Sequence, residues 1–200
     1  MWTCPDLHAR LTVTPGFLLL MAGLLYLDEG AGLLPWALLA CAVHELGHLA
    51  ACAAHGGRVE RLTLSAVGAE LRFSYRHALS YSGENLVLLA GPAANLLLAV
   101  PAYLSGFRVL AVFSVWIGAF NLLPIPPLDG GALADNLLAE RWGDGPAPQV
   151  VLTAVSGILA GLLAGVGAIA AAVYGNVTLL LTAFWLLWGI VRPGRRGRMH

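Results

Sequence analysis

Charge is what this chain has least of. Of its 200 residues only 11% are Asp, Glu, Lys or Arg, less than half the roughly 25% of an ordinary globular chain, so a water-facing fold is excluded. Lysine is absent and every basic residue is Arg, which hints at a GC-rich genome and says nothing of function. The 11 basic residues are balanced by 11 acidic ones, which excludes a nucleic-acid binder led by charge. Three cysteines, Cys4, Cys41 and Cys52, are too few, and odd in number, for a disulfide framework. The sequence is instead 58% hydrophobic with 24 glycines and a mean hydropathy of +0.78. Length and composition together describe a single domain, 1–200, embedded in a membrane.

A bilayer core about 30 Å thick needs about 20 apolar residues of helix. Six segments are candidates, at about 11–27, 32–54, 84–104, 109–125, 150–173 and 177–191. The first has no small-x-small cleavage site and runs into Asp28 and Glu29, so it reads as an anchor rather than a signal peptide. With the N-terminus inside, the inner segments hold Arg10, Arg58, Arg61, Arg72, Arg76, Arg141 and the tail arginines Arg192, Arg195, Arg196 and Arg198. The outer loops hold only Arg108. This asymmetry follows the positive-inside rule and predicts a multi-pass protein with both ends on the cytoplasmic side.

Two stretches do not read as simple spans. In 61–75 the residues Leu62, Leu64, Ala66, Ala69, Leu71 and Phe73 alternate with polar or small ones about Val67-Gly68, which predicts a small membrane-associated β-hairpin. Such strands must be sheltered by protein or lie at the interface. The stretch 121–131, NLLPIPPLDGG, places three prolines and two glycines at the end of an apolar helix. The helix must break there, beside a protein-lined or wet cavity.

The second span contains His44-Glu45-Leu46-Gly47-His48, an H-E-x-x-H sequence. Residues i and i+4 share a helix face, so both imidazoles can reach one zinc ion. Glu45, about 100° round the helix from His44, can act on a water there without being a ligand. Two histidines and a glutamate inside a membrane helix are costly unless they pair or bind something. A third ligand is needed, and Asp129 in the broken segment is the best candidate; as a turn residue before Gly130-Gly131 it would have a plainer role. His44 and His48 lie roughly 10–16 Å from the inner end of span two, and span four reaches Asp129 near its own inner end, so both fall on the cytoplasmic side of the midplane. Cys52, a turn beyond His48, is the rival ligand or else a buried thiol. His55 continues the same stripe and marks the aqueous end of the helix.

His44–His48, Gly91-Pro92-Ala93-Ala94-Asn95, and Asn121…Pro124…Pro127-Leu128-Asp129-Gly130 resemble, in order, the three signatures of the site-2 protease family (peptidase family M50) of intramembrane zinc metalloproteases. The resemblance covers about 36–135, the three-helix catalytic core, with helices 5–6 at about 150–191 and a basic tail at 192–200. The compact layout is most similar to the bacterial branch that includes the stage IV sporulation protease, though without its nucleotide-sensing (CBS) domain and without the PDZ domain of other branches. The resemblance implies an all-α polytopic membrane protein of the bacterial cytoplasmic membrane, with one Zn2+ held by His44, His48 and Asp129 and with Glu45 activating water. It implies a membrane-embedded or membrane-associated protein substrate, such as a sigma-factor precursor or an anti-sigma factor, with inhibitor or regulatory membrane proteins as further partners. Asn95 and Asn121 either bind substrate or the developing oxyanion, or make interhelical hydrogen bonds. Gly91 and Pro92 read as allowing close packing and a bend near the site. A substrate held extended by strand addition to 61–75 would be sensitive to proline at 62–64. A metal transporter and a catalytically silent scaffold are the alternatives. A transporter has no use for Glu45 and would need ligands in the outer half as well.

Overall fold

A chain in hydrocarbon must satisfy its own backbone N–H and C=O groups, so long apolar runs fold as helices. The computed structural model describes residues 10–28, 30–65, 68–75, 79–143 and 145–191. Cys4, Glu29, Ala66, Val67, Arg76 and the tail arginines lie outside them. In chain order the elements are β1 (Arg10–Val13), α1 (Pro15–Asp28), α2 (Leu34–Ala54), β2 (Arg58–Ser65), β3 (Gly68–Ser74), α3 (Tyr81–Leu104), α4 (Arg108–Asn121), α5 (Asp129–Trp142), α6 (Pro146–Tyr174) and α7 (Thr178–Val191).

Each of the six apolar segments contains a helix, yet among the described residues three are long and apolar enough to cross a membrane: α2, α3 and α6. The helices α1, α4 and α7 have 14 residues each, about 21 Å at 1.5 Å per residue, which is short of the hydrocarbon core. The expectation of about six full-length spans is therefore met in order and position but not in length. The fourth segment stops at Asn121, three residues before Pro124. The first is shortened because its opening residues form a strand.

That strand enlarges the expected hairpin. β2 and β3 pair antiparallel, with Leu62 opposite Leu71 and Leu64 opposite Ala69, as the alternation predicts. β1 then pairs parallel with β2, from Arg10 opposite Arg61 to Val13 opposite Leu64, and the sheet order is β1-β2-β3. β2 is thus the central strand, with partners on both sides. An added substrate strand cannot pair with 62–64, and among the described residues the outer edges of β1 and β3 remain for one. Proline at 62–64 would break the sheet itself rather than report on substrate.

Small residues let the central helices approach closely, as membrane helices require. A Cβ on Gly47 of α2 would stand 2.8 Å from the Ala94 Cβ of α3, and one on Gly118 of α4 would stand 3.1 Å from the Pro92 carbonyl. α2, α3 and α4 pack mutually, around a cluster of Ala40, Ala102, Leu110 and Ala111. A second cluster, Ile125, Leu128, Ala160 and Leu186, ties the broken segment to α6 and α7. Outward-facing Leu19, Leu97, Trp116, Ile158 and Phe184 are exposed, the pattern of a lipid-facing surface.

Candidate metal centre

Helical spacing places His44 and His48 one above the other on the buried face of α2. Their rings meet edge to face with centroids 4.8 Å apart. The two Nε2 atoms are 3.2 Å apart. The Asp129 Oδ2 lies 3.0 Å from the His44 Nε2 and 3.2 Å from the His48 Nε2. Among the described residues these three form a group that could hold a metal ion.

The triangle fits zinc. Ligands at about 2.0–2.1 Å in a tetrahedron are separated by about 3.3 Å, so each edge is within a few tenths of an ångström of what the ion needs. Three electron-rich atoms converging in a buried place are stabilised by something positive between them, a metal ion or a shared proton. The side chains of His44 and His48 are 7% and 9% exposed, and that of Asp129 is 22% exposed, so the carboxylate marks the open side.

Two of the three, His48 and Asp129, are held from behind. The His48 Nδ1–H donates to the Val87 carbonyl of α3 at 2.8 Å, which fixes the tautomer and turns Nε2, with its lone pair, toward the cluster. Gly91, one turn along α3, lies directly beneath that ring. A Cβ there would meet the His48 Nε2, and would stand 2.6 Å from Cε1. Close packing at Gly91 thus has a specific object, the His48 ring.

Asp129 is the first residue of α5, preceded by an extended Leu128. The break that aims it is packed tightly. The Ser156 hydroxyl of α6 donates to the Pro124 carbonyl at 2.8 Å. A Cβ on Gly131 would stand 2.6 Å from the Ile125 carbonyl carbon, and one on Gly130 would run into the Leu122 carbonyl. Both glycines are therefore required by space. α5 was not foreseen from the sequence; its first turn carries Asp129 and its last Arg141, the charge order that suits a helix dipole. Asn136 of α5 donates to the Glu84 carboxylate and to the Asn85 amide oxygen, 3.1 Å each, and so fastens α5 to α3.

Glu45 is half-buried and within electrostatic reach of His48, His44 and Asp129. Asn95 is fully buried and its side-chain amide lies 3.5 Å from the His44 Nδ1. Asn121 is half-buried and donates one amide N–H to the Ile117 carbonyl of its own helix at 3.0 Å. Cys52 is not in the donor group. Its Sγ lies beside Gly57 and the Tyr75 ring at the end of α2, where it packs as a small apolar side chain. The exposed His55 Nδ1–H donates to the Ala51 carbonyl. Neither the Val87 carbonyl nor the Ser156 clamp left any signal in the sequence, because each depends on how two helices register.

The profile described as Peptidase family M50 matches residues 104–164. Stage IV sporulation protein FB of Bacillus subtilis is 31% identical over 145 residues, covering 68% of this chain and 50% of that protein. A zinc metalloprotease of Methanocaldococcus jannaschii is 24% identical over 113 residues, covering 50% of this chain and 32% of that protein. The chain thus spans about a third to a half of the length of these relatives. Among solved structures, a site-2 protease from M. jannaschii superposes with a TM-score of 0.68 at 18% identity, covering 99% of this chain and 96% of the other, which shows a shared fold.

Proposed function

Because this chain is a homologue of the site-2 proteases of peptidase family M50, we propose that it is an intramembrane zinc endopeptidase that hydrolyses a peptide bond within, or near the inner edge of, a membrane segment of a protein substrate. The observation that carries this reading is the triangle of His44, His48 and Asp129, with edges of 3.0 to 3.2 Å, with the Glu45 carboxylate within its electrostatic reach.

His44, His48 and Asp129 would hold the ion, whose chemistry is to polarise the scissile carbonyl and to acidify water towards a pKa of about 7. Glu45 takes the proton from the attacking water and delivers it to the leaving amine, so that one peptide bond and one water become a carboxylate and a protonated amine. Asn121, with one amide N–H given to Ile117, has a second N–H for a substrate carbonyl. The outer edges of β1 and β3 are the places where an unwound substrate segment can add as a strand. In the membrane we place both chain ends on the cytoplasmic side, with the short helices α1, α4 and α7 completing six crossings by local thinning of the bilayer. A sigma-factor precursor or an anti-sigma factor fits the substrate class.

The test uses the purified full chain in lipid vesicles with a single-span test substrate. One zinc per chain is expected, with cleavage that a chelator abolishes and added zinc restores. A zinc-loaded chain that leaves the substrate intact, or that carries zinc across the vesicle wall instead, contradicts the reading.

A further inference from the structure

His48 has a partner that fixes its ring, the Val87 carbonyl; His44, on the same ion, needs one too. From the geometry we infer that Asn95 is the positioning residue for His44, holding its ring by accepting a hydrogen bond from Nδ1–H. This role rests on the zinc reading above.

The His44 Nε2 faces the Asp129 Oδ2 and the His48 Nε2, so Nε2 is the atom a metal takes. A neutral imidazole that gives up the lone pair of one nitrogen to a metal carries its proton on the other. That proton, on Nδ1, is buried and needs an acceptor. The polar group there is the Asn95 amide, fully buried and 3.5 Å away. Its Oδ1 has no hydrogen-bond partner among the described residues, an expensive condition for a buried carbonyl oxygen. The two ends of an amide have nearly the same shape. Turned end for end, the amide gives Nδ1–H an acceptor in that oxygen and sets its own N–H groups where the oxygen was.

The surroundings hold Asn95 in this position. It is on α3, where α4 comes close: a Cβ on Gly118 would stand 3.3 Å from the Asn95 Cβ. α3 thus supplies the outer partner of both histidines, a main-chain carbonyl for one and a side-chain amide for the other. Full burial behind His44 also sets Asn95 on the side of the ring away from the ion, so a direct role at the substrate carbonyl is disfavoured.

The experiment compares zinc dissociation constants, by chelator competition, for the wild type, Asn95→Leu and Asn95→Asp. Leucine keeps the size and removes the acceptor, whereas aspartate keeps it. Asn95→Leu should bind zinc about 10- to 100-fold more weakly, the usual cost of losing such a partner, while Asn95→Asp stays near the wild type. Wild-type affinity in Asn95→Leu, with cleavage lost, would mark a substrate or oxyanion role and overturn the inference. Equal weakening in both variants would also overturn it, since packing alone would then be the cause. Histidine nitrogen NMR of the zinc-loaded wild type needs no variant: a protonated, hydrogen-bonded His44 Nδ1 is expected, and a metal-bound Nδ1 contradicts it. A wild type that binds no zinc overturns the metal centre itself, and this role with it.

Discussion

Glu45→Gln should retain its zinc and lose cleavage by about 10²- to 10⁴-fold, the range attributed to a positioned general base. The substitution keeps size and shape and removes the basic oxygen. Glu45 is outside the donor group of His44, His48 and Asp129, so metal content should be that of the wild type. It is nonetheless within electrostatic reach of all three, as a base acting beside them must be. Zinc analysis and the rate of substrate cleavage on the same preparation check both halves. Undiminished cleavage would remove Glu45 from the chemistry, and loss of zinc would make it a ligand.

Gly91→Ala should weaken zinc binding by about 100-fold or more, although the residue touches no metal. The added methyl would be 2.6 Å from the His48 Cε1 and 2.8 Å from Cδ2, distances no real Cβ contact sustains. Neither neighbour can retreat without losing a contact. The His48 ring is tied to the Val87 carbonyl, and α3 is pressed against α2 where Gly47 meets Ala90 and Ala94. The ring must therefore swing out, and the site loses a ligand together with its supporting hydrogen bond. Gly157→Ala on α6 is the control: its Cβ meets nothing within 4 Å, and alanine there should be neutral or stabilise the helix by up to about 1 kcal/mol. Chelator competition reads the affinity and thermal melting reads the fold. Unchanged affinity in Gly91→Ala would mean that the His48 ring is free to turn elsewhere and is not needed by the ion.

What could be read from the sequence follows from which signals are local. The spacing of His44 and His48 fixes their common face whatever surrounds α2, and the prolines at 124, 126 and 127 force a break before Asp129. The β2–β3 pairing was legible because its alternation has period two. β1 was not, because Arg10–Val13 runs straight into an apolar helix and its pairing with β2 is set by tertiary contact. α5 was hidden for a different reason. It begins Asp-Gly-Gly, poor helix formers by propensity, and those glycines are there for close packing against the Leu122 and Ile125 backbone. The lengths of α1 and α4 were overestimated because hydropathy does not show where a backbone stops being helical. The supports behind the histidines were the least visible: a main-chain carbonyl at Val87 has no side-chain signature, and Gly91 is one of 24 glycines.

X-ray absorption at the zinc edge, on the loaded wild type and on Asp129→Ala, tests most directly whether two imidazoles and one carboxylate share an ion. The wild type should show only nitrogen and oxygen donors at about 2.0–2.1 Å, with the outer scattering of two imidazoles. Asp129→Ala should have lost its zinc or one oxygen donor. A sulfur shell at about 2.3 Å, or a spectrum that Asp129→Ala leaves unchanged, would contradict the site.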